Sequence, residues 1–107
     1  MNNFRTHHCG ELSTKNIGEN VFISGWINKK RDHGGLLFID LRDHYGITQC
    51  VINSDNEMFS VLENLKLESV IKVCGRVVKR SEDTINKNLI TGEVEIVSEK
   101  IEIINES

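Results

Sequence analysis

Apolar residues in this chain recur at every second position through five stretches, and one segment between them follows a helical rhythm instead. Period two is the signature of a strand with one buried face, and no other feature here constrains the fold as much. Asn20 to Lys30 places Val21, Ile23 and Ile27 on one side, with Phe22 and Trp26 on the other. Asp32-His33-Gly34-Gly35 is a turn by composition. Leu36 to Arg42 is a second strand, with Leu37, Ile39 and Leu41 sharing a face. His44-Tyr45-Gly46 turns the chain again, ahead of a third strand from Ile47 to Asn53.

The period changes after Asn53. Ser54-Asp55-Asn56-Glu57 has the spacing of a capping box and predicts the start of a helix. Met58, Leu62 and Leu65 give that helix an apolar stripe from about Glu57 to Lys66. Alternation resumes from Ser69 to Arg80 on Ile71, Val73 and Val77, stops across a polar stretch from Ser81 to Asn88, and returns between about Gly92 and Ile104. Three strands, a helix and two strands is the order of the OB-fold, a partly open five-stranded barrel in the all-β class that commonly binds oligonucleotides. A ferredoxin-like sandwich would need a helix between the first two strands, and the Asp32–Gly35 connection is too short to hold one.

At 107 residues the chain is read as a single domain, 1–107, with one core. It has no apolar run near the ~20 residues of a membrane span, and no apolar leader follows Met1, so a cytoplasmic protein is expected. Cys9, Cys50 and Cys74 are odd in number and widely spaced, which suggests neither a disulfide framework nor a zinc knuckle. His7-His8-Cys9 is poor as a metal cluster, because neighbours on an extended chain point to opposite sides; these read as ordinary terminal residues, and no metal is expected. Glycine loops for phosphate and nucleophile–base pairs at recognisable spacing are both missing, so no catalytic residue is assigned.

Parity sharpens the functional reading. With Leu37, Ile39 and Leu41 inside, Phe38, Asp40 and Arg42 face outward; Gln49 faces outward on the third strand, and Glu93 and Glu95 on the fifth. Basic residues cluster at Lys29-Lys30-Arg31 and again across Arg76, Lys79, Arg80 and Lys87. An aromatic ring, an amide, carboxylates and arginines on one face suit single-stranded nucleic acid: rings stack on bases, amides and carboxylates read base edges, and cations meet phosphates. Parity alone leaves Phe38 equally open to being a surface aromatic under a loop. Trp26 reads as structural, packed beneath neighbouring loops.

The run Gly25-Trp26-Ile27-Asn28-Lys29-Lys30-Arg31-Asp32-His33-Gly34-Gly35-Leu36-Leu37-Phe38-Ile39-Asp40-Leu41-Arg42-Asp43 closely resembles a segment of bacterial aspartyl-tRNA synthetases. The resemblance continues through Gly46–Gln49, Val73–Val77 and Thr91–Glu95, and spans nearly the whole chain. It implies an N-terminal anticodon-binding OB domain of a class II enzyme that joins aspartate to tRNA-Asp. That parent would use ATP and magnesium and act as a homodimer, through a catalytic domain whose motifs are not among these residues. Phe38 would then stack on the middle anticodon base, a uridine, and Gln49 would hydrogen-bond it. Glu95 would read the first base, a guanine; Arg31, Arg80 and Asn86 would approach the anticodon, and Lys29 and Lys30 would meet phosphates. The register from Ser81 to Lys87 departs from better-known members. His33 stands where the family has a histidine in many members that charge both tRNA-Asp and tRNA-Asn, which implies a non-discriminating parent; a plain polar turn residue is the rival reading. Asparaginyl- and lysyl-tRNA synthetases share the barrel and stay open as alternatives. A free-standing module for single strands also stays open, though it would call for more basic charge than −3 and more aromatics than one Trp, one Tyr and four Phe.

Overall fold

The first strand, β1 (Asn20–His33), is long enough to serve two neighbours in turn. The structure is a computed structural model and describes residues 6–106. Met1 to Arg5 and Ser107, part of the single domain expected from sequence, lie outside them. From Asn20 to Trp26, β1 pairs antiparallel with β4 (Val70–Lys79); from Trp26 to His33 it pairs antiparallel with β2 (Leu36–Arg42). β2 pairs with β3 (Ile47–Asn53), and β4 with β5 (Val94–Asn105), both antiparallel. Parallel pairing of Cys50 with Ile96 and Val51 with Val97 joins β3 to β5 and closes the ring β1-β2-β3-β5-β4. This is the expected OB order, with the barrel closed rather than partly open.

Alternating side chains fill the barrel as anticipated. Ile23, Ile27, Ile39, Leu41, Ile52, Ile71, Val73, Val77 and Ile96 are fully buried, joined by Leu62 from the helix. Truncating such a residue to alanine costs about 2–5 kcal/mol through lost transfer energy and the cavity left behind. The β1–β2 connection is tighter than expected. Only Gly34 and Gly35 turn, with φ of 54° and 92°, the pair of positive values a type I′ hairpin demands. Asp32 and His33 therefore stay in the ladder, opposite Leu37 and Leu36.

The helix is α1 (Phe59–Asn64), shorter than the expected Glu57–Lys66, and the Ser54–Glu57 capping box does not form. Asn56 provides the local contact instead. Its Oδ1 accepts from the Met58 N–H at 2.9 Å, while its Nδ2 donates to the carbonyls of Ser98 and Glu99. A reciprocal cap exists elsewhere, where Asn16 Oδ1 accepts from the Ser13 N–H and Ser13 Oγ accepts from Lys15. No helix among the described residues is long and apolar enough to cross a membrane.

Cys9 is not the ordinary terminal residue expected: it is fully buried with Leu12 in the core. Its N–H donates to Asp43 Oδ2 at 2.8 Å, and its carbonyl accepts from Thr48 Oγ1 at 2.7 Å. Asp43 Oδ1 also accepts from the N–H groups of Tyr45 and Gly46. Burial by itself would raise the pKa of Asp43; the three backbone donors outweigh it and hold the carboxyl below its usual range. A downward shift means the ionised form stabilises the fold. That contribution is complete above the unfolded carboxylate pKa near ~4 and is lost as pH falls through the lowered folded value. Asp43→Asn is expected to lower stability at pH 7 by about 1–3 kcal/mol, since it sets an amide N–H against backbone donors. Its acid unfolding limb should be shallower than the wild type's. Thermal melts from pH 7 to pH 2 check both; parallel curves would remove Asp43 from this role.

Candidate nucleic-acid interface

A register shift in β1 creates the site. Counting outward from Phe22 and Trp26, simple alternation would turn Lys30 and Asp32 to the outer face and Arg31 inward. Between Ile27 and Lys29 the pairing with β2 slips by one residue, leaving Asn28 as the extra member of a bulge. The slip comes where β1 leaves β4: the Ile27 N–H donates to the Ser69 carbonyl, and the Ile27 carbonyl accepts from Glu68. Beyond it Lys29 lies opposite Asp40, and Arg31 opposite Phe38. The Arg31 guanidinium carbon stands 5.5 Å from the centroid of the Phe38 ring, and the His33 ring meets that ring edge-on at 6.1 Å. Phe38 is half-buried, with Arg31 and His33 exposed beside it.

The same slip separates the two lysines. Lys30 reaches across to α1, where its Nζ donates to the carbonyls of Leu62 and Glu63 at 3.0 Å each, and to that of Leu65. It thus serves as a cationic cap for the C-terminal end of a helix with no basic residue in its last turn. Burial pushes the Lys30 pKa down and Glu63 pulls it partly back. The neighbouring Asp32 carboxyl, on the same side, raises the pKa of Glu63, and Lys30 pulls it partly back. The shared phosphate role expected of Lys29 and Lys30 therefore does not fit Lys30, whose ammonium is occupied. Only Lys29 lines the outer cleft.

At the other side of Arg31 lies a row of polar side chains. Gln49 faces outward as expected, yet is only 1% exposed because its neighbours cover it. Its Oε1 accepts from Arg31 Nη2 at 3.2 Å, and its Nε2 donates to Glu95 Oε1 at 2.8 Å. The amide has one sensible orientation there: a guanidinium only donates and a carboxylate only accepts. Arg80, expected to reach toward the anticodon, is 5% exposed and works first as a tie. Its Nε donates to the Val94 carbonyl and its Nη1 to that of Thr84, joining the end of β4 to the start of β5 and to the 3-10 turn at Glu82–Thr84. Its Nη2 is buried with no hydrogen-bond partner. Burial pushes the Arg80 pKa down, while Asp40 and Glu95 hold it up.

Arg31 stands between two hollows. One, about 280 Å³, is floored by Phe38 and walled by His33, Leu36, Asp83 and Thr84; the other, about 250 Å³, holds Lys29, Asp40, Gln49, Arg80 and Asn86. Asn86 is exposed at the rim, where its N–H donates to the Gly92 carbonyl. A Cβ at Gly92 would lie 1.7 Å from the Asn86 carbonyl oxygen, so this rim closes only on glycine. Asp83 and Thr84 line the site without having been singled out from sequence, as does Asp40, which was read as outward-facing but given no role. Outward parity was the signal for Asp40; nothing in the polar 81–88 stretch marks the other two. Stacking surface, a donor-only edge at Arg31 and an acceptor edge at Glu95 can hold unpaired bases and read them. No group of three His, Cys, Asp or Glu side chains among the described residues could hold a metal.

A family model described as an OB-fold nucleic acid binding domain, of the tRNA anti-codon type, matches residues 21–104, and the chain belongs to that family. Among curated proteins it is 56% identical over 104 residues to the aspartate–tRNA(Asp/Asn) ligase of Pelagibacter ubique, covering 97% of this chain and 18% of that protein. With the ligase of the same name from Acidiphilium cryptum it shares 57% over 103 residues, 96% of this chain and 17% of that one. Among solved structures, the asparaginyl-tRNA synthetase of Pyrococcus horikoshii superposes with a TM-score of 0.79 at 27% identity, over 94% of this chain and 22% of that chain. A putative aspartyl-tRNA synthetase from Leishmania major Friedlin gives 0.82 at 23% identity, covering all of this chain and 22% of that one, and so shares its fold. The chain spans less than a fifth of the length of the curated relatives it matches.

The division of the lysines is open to test. Lys30→Met should lower stability by about 1–2 kcal/mol, the range for a charged hydrogen-bonding group lost from a helix end, and leave RNA binding by the folded protein unchanged. Lys29→Ala should leave the melt unchanged, weaken binding to every RNA alike and reduce the salt slope by about one phosphate contact. Melting and salt-dependent titration of both variants decide the matter, and a reversed pattern would refute the assignment.

Proposed function

We propose that this chain is the anticodon-recognising barrel of an aspartate–tRNA ligase that acts on tRNA-Asp and also on tRNA-Asn in the cytoplasm. The observation that carries this reading is the contiguous row Phe38–Arg31–Gln49–Glu95, in which a stacking ring, a donor, an amide and an acceptor follow one another along the outer face. The high identity to ligases whose names include both tRNAs supports it. On this reading the central uridine stacks on Phe38 beneath Arg31, with Gln49 beside it. The guanine before it presents its N1–H and exocyclic amine to Glu95. Arg80 and Asn86 line the same cleft, and Lys29 meets a phosphate. Ligation itself, with its ATP and magnesium, belongs to the remainder of a longer protein that works as a homodimer.

His33 is proposed to govern the third base, the position at which the anticodons of the two tRNAs differ. It flanks the Phe38 hollow, and its imidazole can donate or accept according to tautomer, so it tolerates either a cytosine or a uracil edge. Strand pairing opposite Leu36 holds it at the rim more firmly than a loose turn would.

Phe38→Ala is expected to weaken binding of an anticodon stem-loop with guanine first and uridine second by about 1–3 kcal/mol. Titration of a labelled stem-loop at fixed salt measures it, and equal affinities for two folded proteins would exclude stacking on Phe38. In a full-length ligase carrying this barrel, both tRNAs should be aminoacylated comparably, and His33→Leu should favour tRNA-Asp. A strong wild-type preference for tRNA-Asp would overturn the dual specificity.

A further inference from the structure

Building on the anticodon reading above, we propose that Gln49 is a positioning residue that makes recognition of the first anticodon base depend on the second. The basis is the manner of its burial. Gln49 is 1% exposed, and both ends of its amide are already taken, Oε1 by Arg31 at 3.2 Å and Nε2 by Glu95 at 2.8 Å. These two atoms belong to one rigid plane, so neither can follow a ligand without moving the other. Flipping the plane would turn its N–H₂ toward the guanidinium and its carbonyl toward the carboxylate, placing donor against donor and acceptor against acceptor. The amide thus holds a single orientation, and the aims of Arg31 and Glu95 are set together through it.

Each partner keeps capacity for RNA. Glu95 is half-exposed and retains lone pairs on both oxygens, while Arg31 keeps further N–H donors and its place over the Phe38 ring. The chain from guanidinium to carbonyl, and from amide N–H to carboxylate, runs between opposite charges, so each hydrogen bond polarises the next. A base that donates to Glu95 anchors the carboxylate, the amide behind it, and so Arg31 above the ring. A base without those donors leaves Glu95 unmatched and loosens the whole row. Once the row is loosened, a wrong second base has less left to disrupt.

The experiment uses the 107-residue chain and four anticodon stem-loops: guanine–uridine, adenine–uridine, guanine–cytosine and adenine–cytosine at the first two positions. In the unmodified protein the double change should weaken binding less than the product of the two single changes, by at least about threefold. In Gln49→Met, which keeps the volume and removes both hydrogen bonds, the two changes should multiply to within about twofold. Independent effects in the unmodified protein would overturn the proposal, as would equal coupling in the folded variant. If neither single change weakens binding, the anticodon reading itself fails and takes the proposal with it, a result distinct from two real but independent effects. The comparison on the unmodified protein needs no variant, so its result holds even if Gln49→Met does not fold.

Discussion

One extra residue in the first strand organises the outer face of this barrel. β1 must bend to leave β4 and join β2, and a bulge is how an antiparallel strand bends without giving up its ladder. Asn28 absorbs the change, and every side chain after it exchanges faces. Arg31 and His33 come to stand over Phe38, while Lys30 turns toward α1 and closes its last carbonyls. A strand of unbroken alternation would bury the arginine end against the core and strand the helix terminus without a donor. The bend that closes the barrel therefore also builds its outer site.

The polar row is held by groups that barely reach solvent. Arg80 spends two of its nitrogens on backbone carbonyls, so the β4–β5 connection is tied from within and Glu95 at the start of β5 is held near Gln49. Asp40 and Glu95 offset part of the downward pull that burial exerts on the pKa of this guanidinium. Lys29, Arg31 and Arg80 thus share one cleft with Asp40, in a chain whose net charge is −3, an arrangement that favours a specific contact over general attraction to polyanions. The turn between β2 and β3 is locked by Asp43, whose carboxylate gathers N–H groups from Cys9, Tyr45 and Gly46. Rigid support of this kind suits a surface proposed to read bases by geometry, since a loosely held donor or acceptor discriminates poorly.

Much of this was legible in the sequence. The limits of β2 and β3, the buried sets on each strand and the outward aim of Phe38, Gln49 and Glu95 all follow from alternation, because a period of two assigns faces without knowledge of the partner strand, and the change to a helical period marked the helix between β3 and β4. The two glycines after His33 allowed a hairpin, although the sequence alone spread the turn over four residues where two suffice. The capping box at Ser54 misled because its spacing is only a local permission. Asn56 is fastened to β5, and that tertiary contact decides where the helix begins.

Other features had no local signal at all. The burial of Cys9 depends on Asp43 and Thr48, more than thirty residues away, and the enclosure of Arg80 on carbonyls across a loop. The separate fates of Lys29, Lys30 and Arg31 are the clearest case. Their sequence is a plain basic run, and composition offers no reason to divide it. Alternation fixes which residues share a face only while the register holds, so the sequence by itself determined the barrel, its core and most of the outer inventory. The position of the slip depends on where one strand exchanges partners, which is a property of the closed ring, and so only the tertiary structure decided which cation stands over Phe38 and which caps the helix.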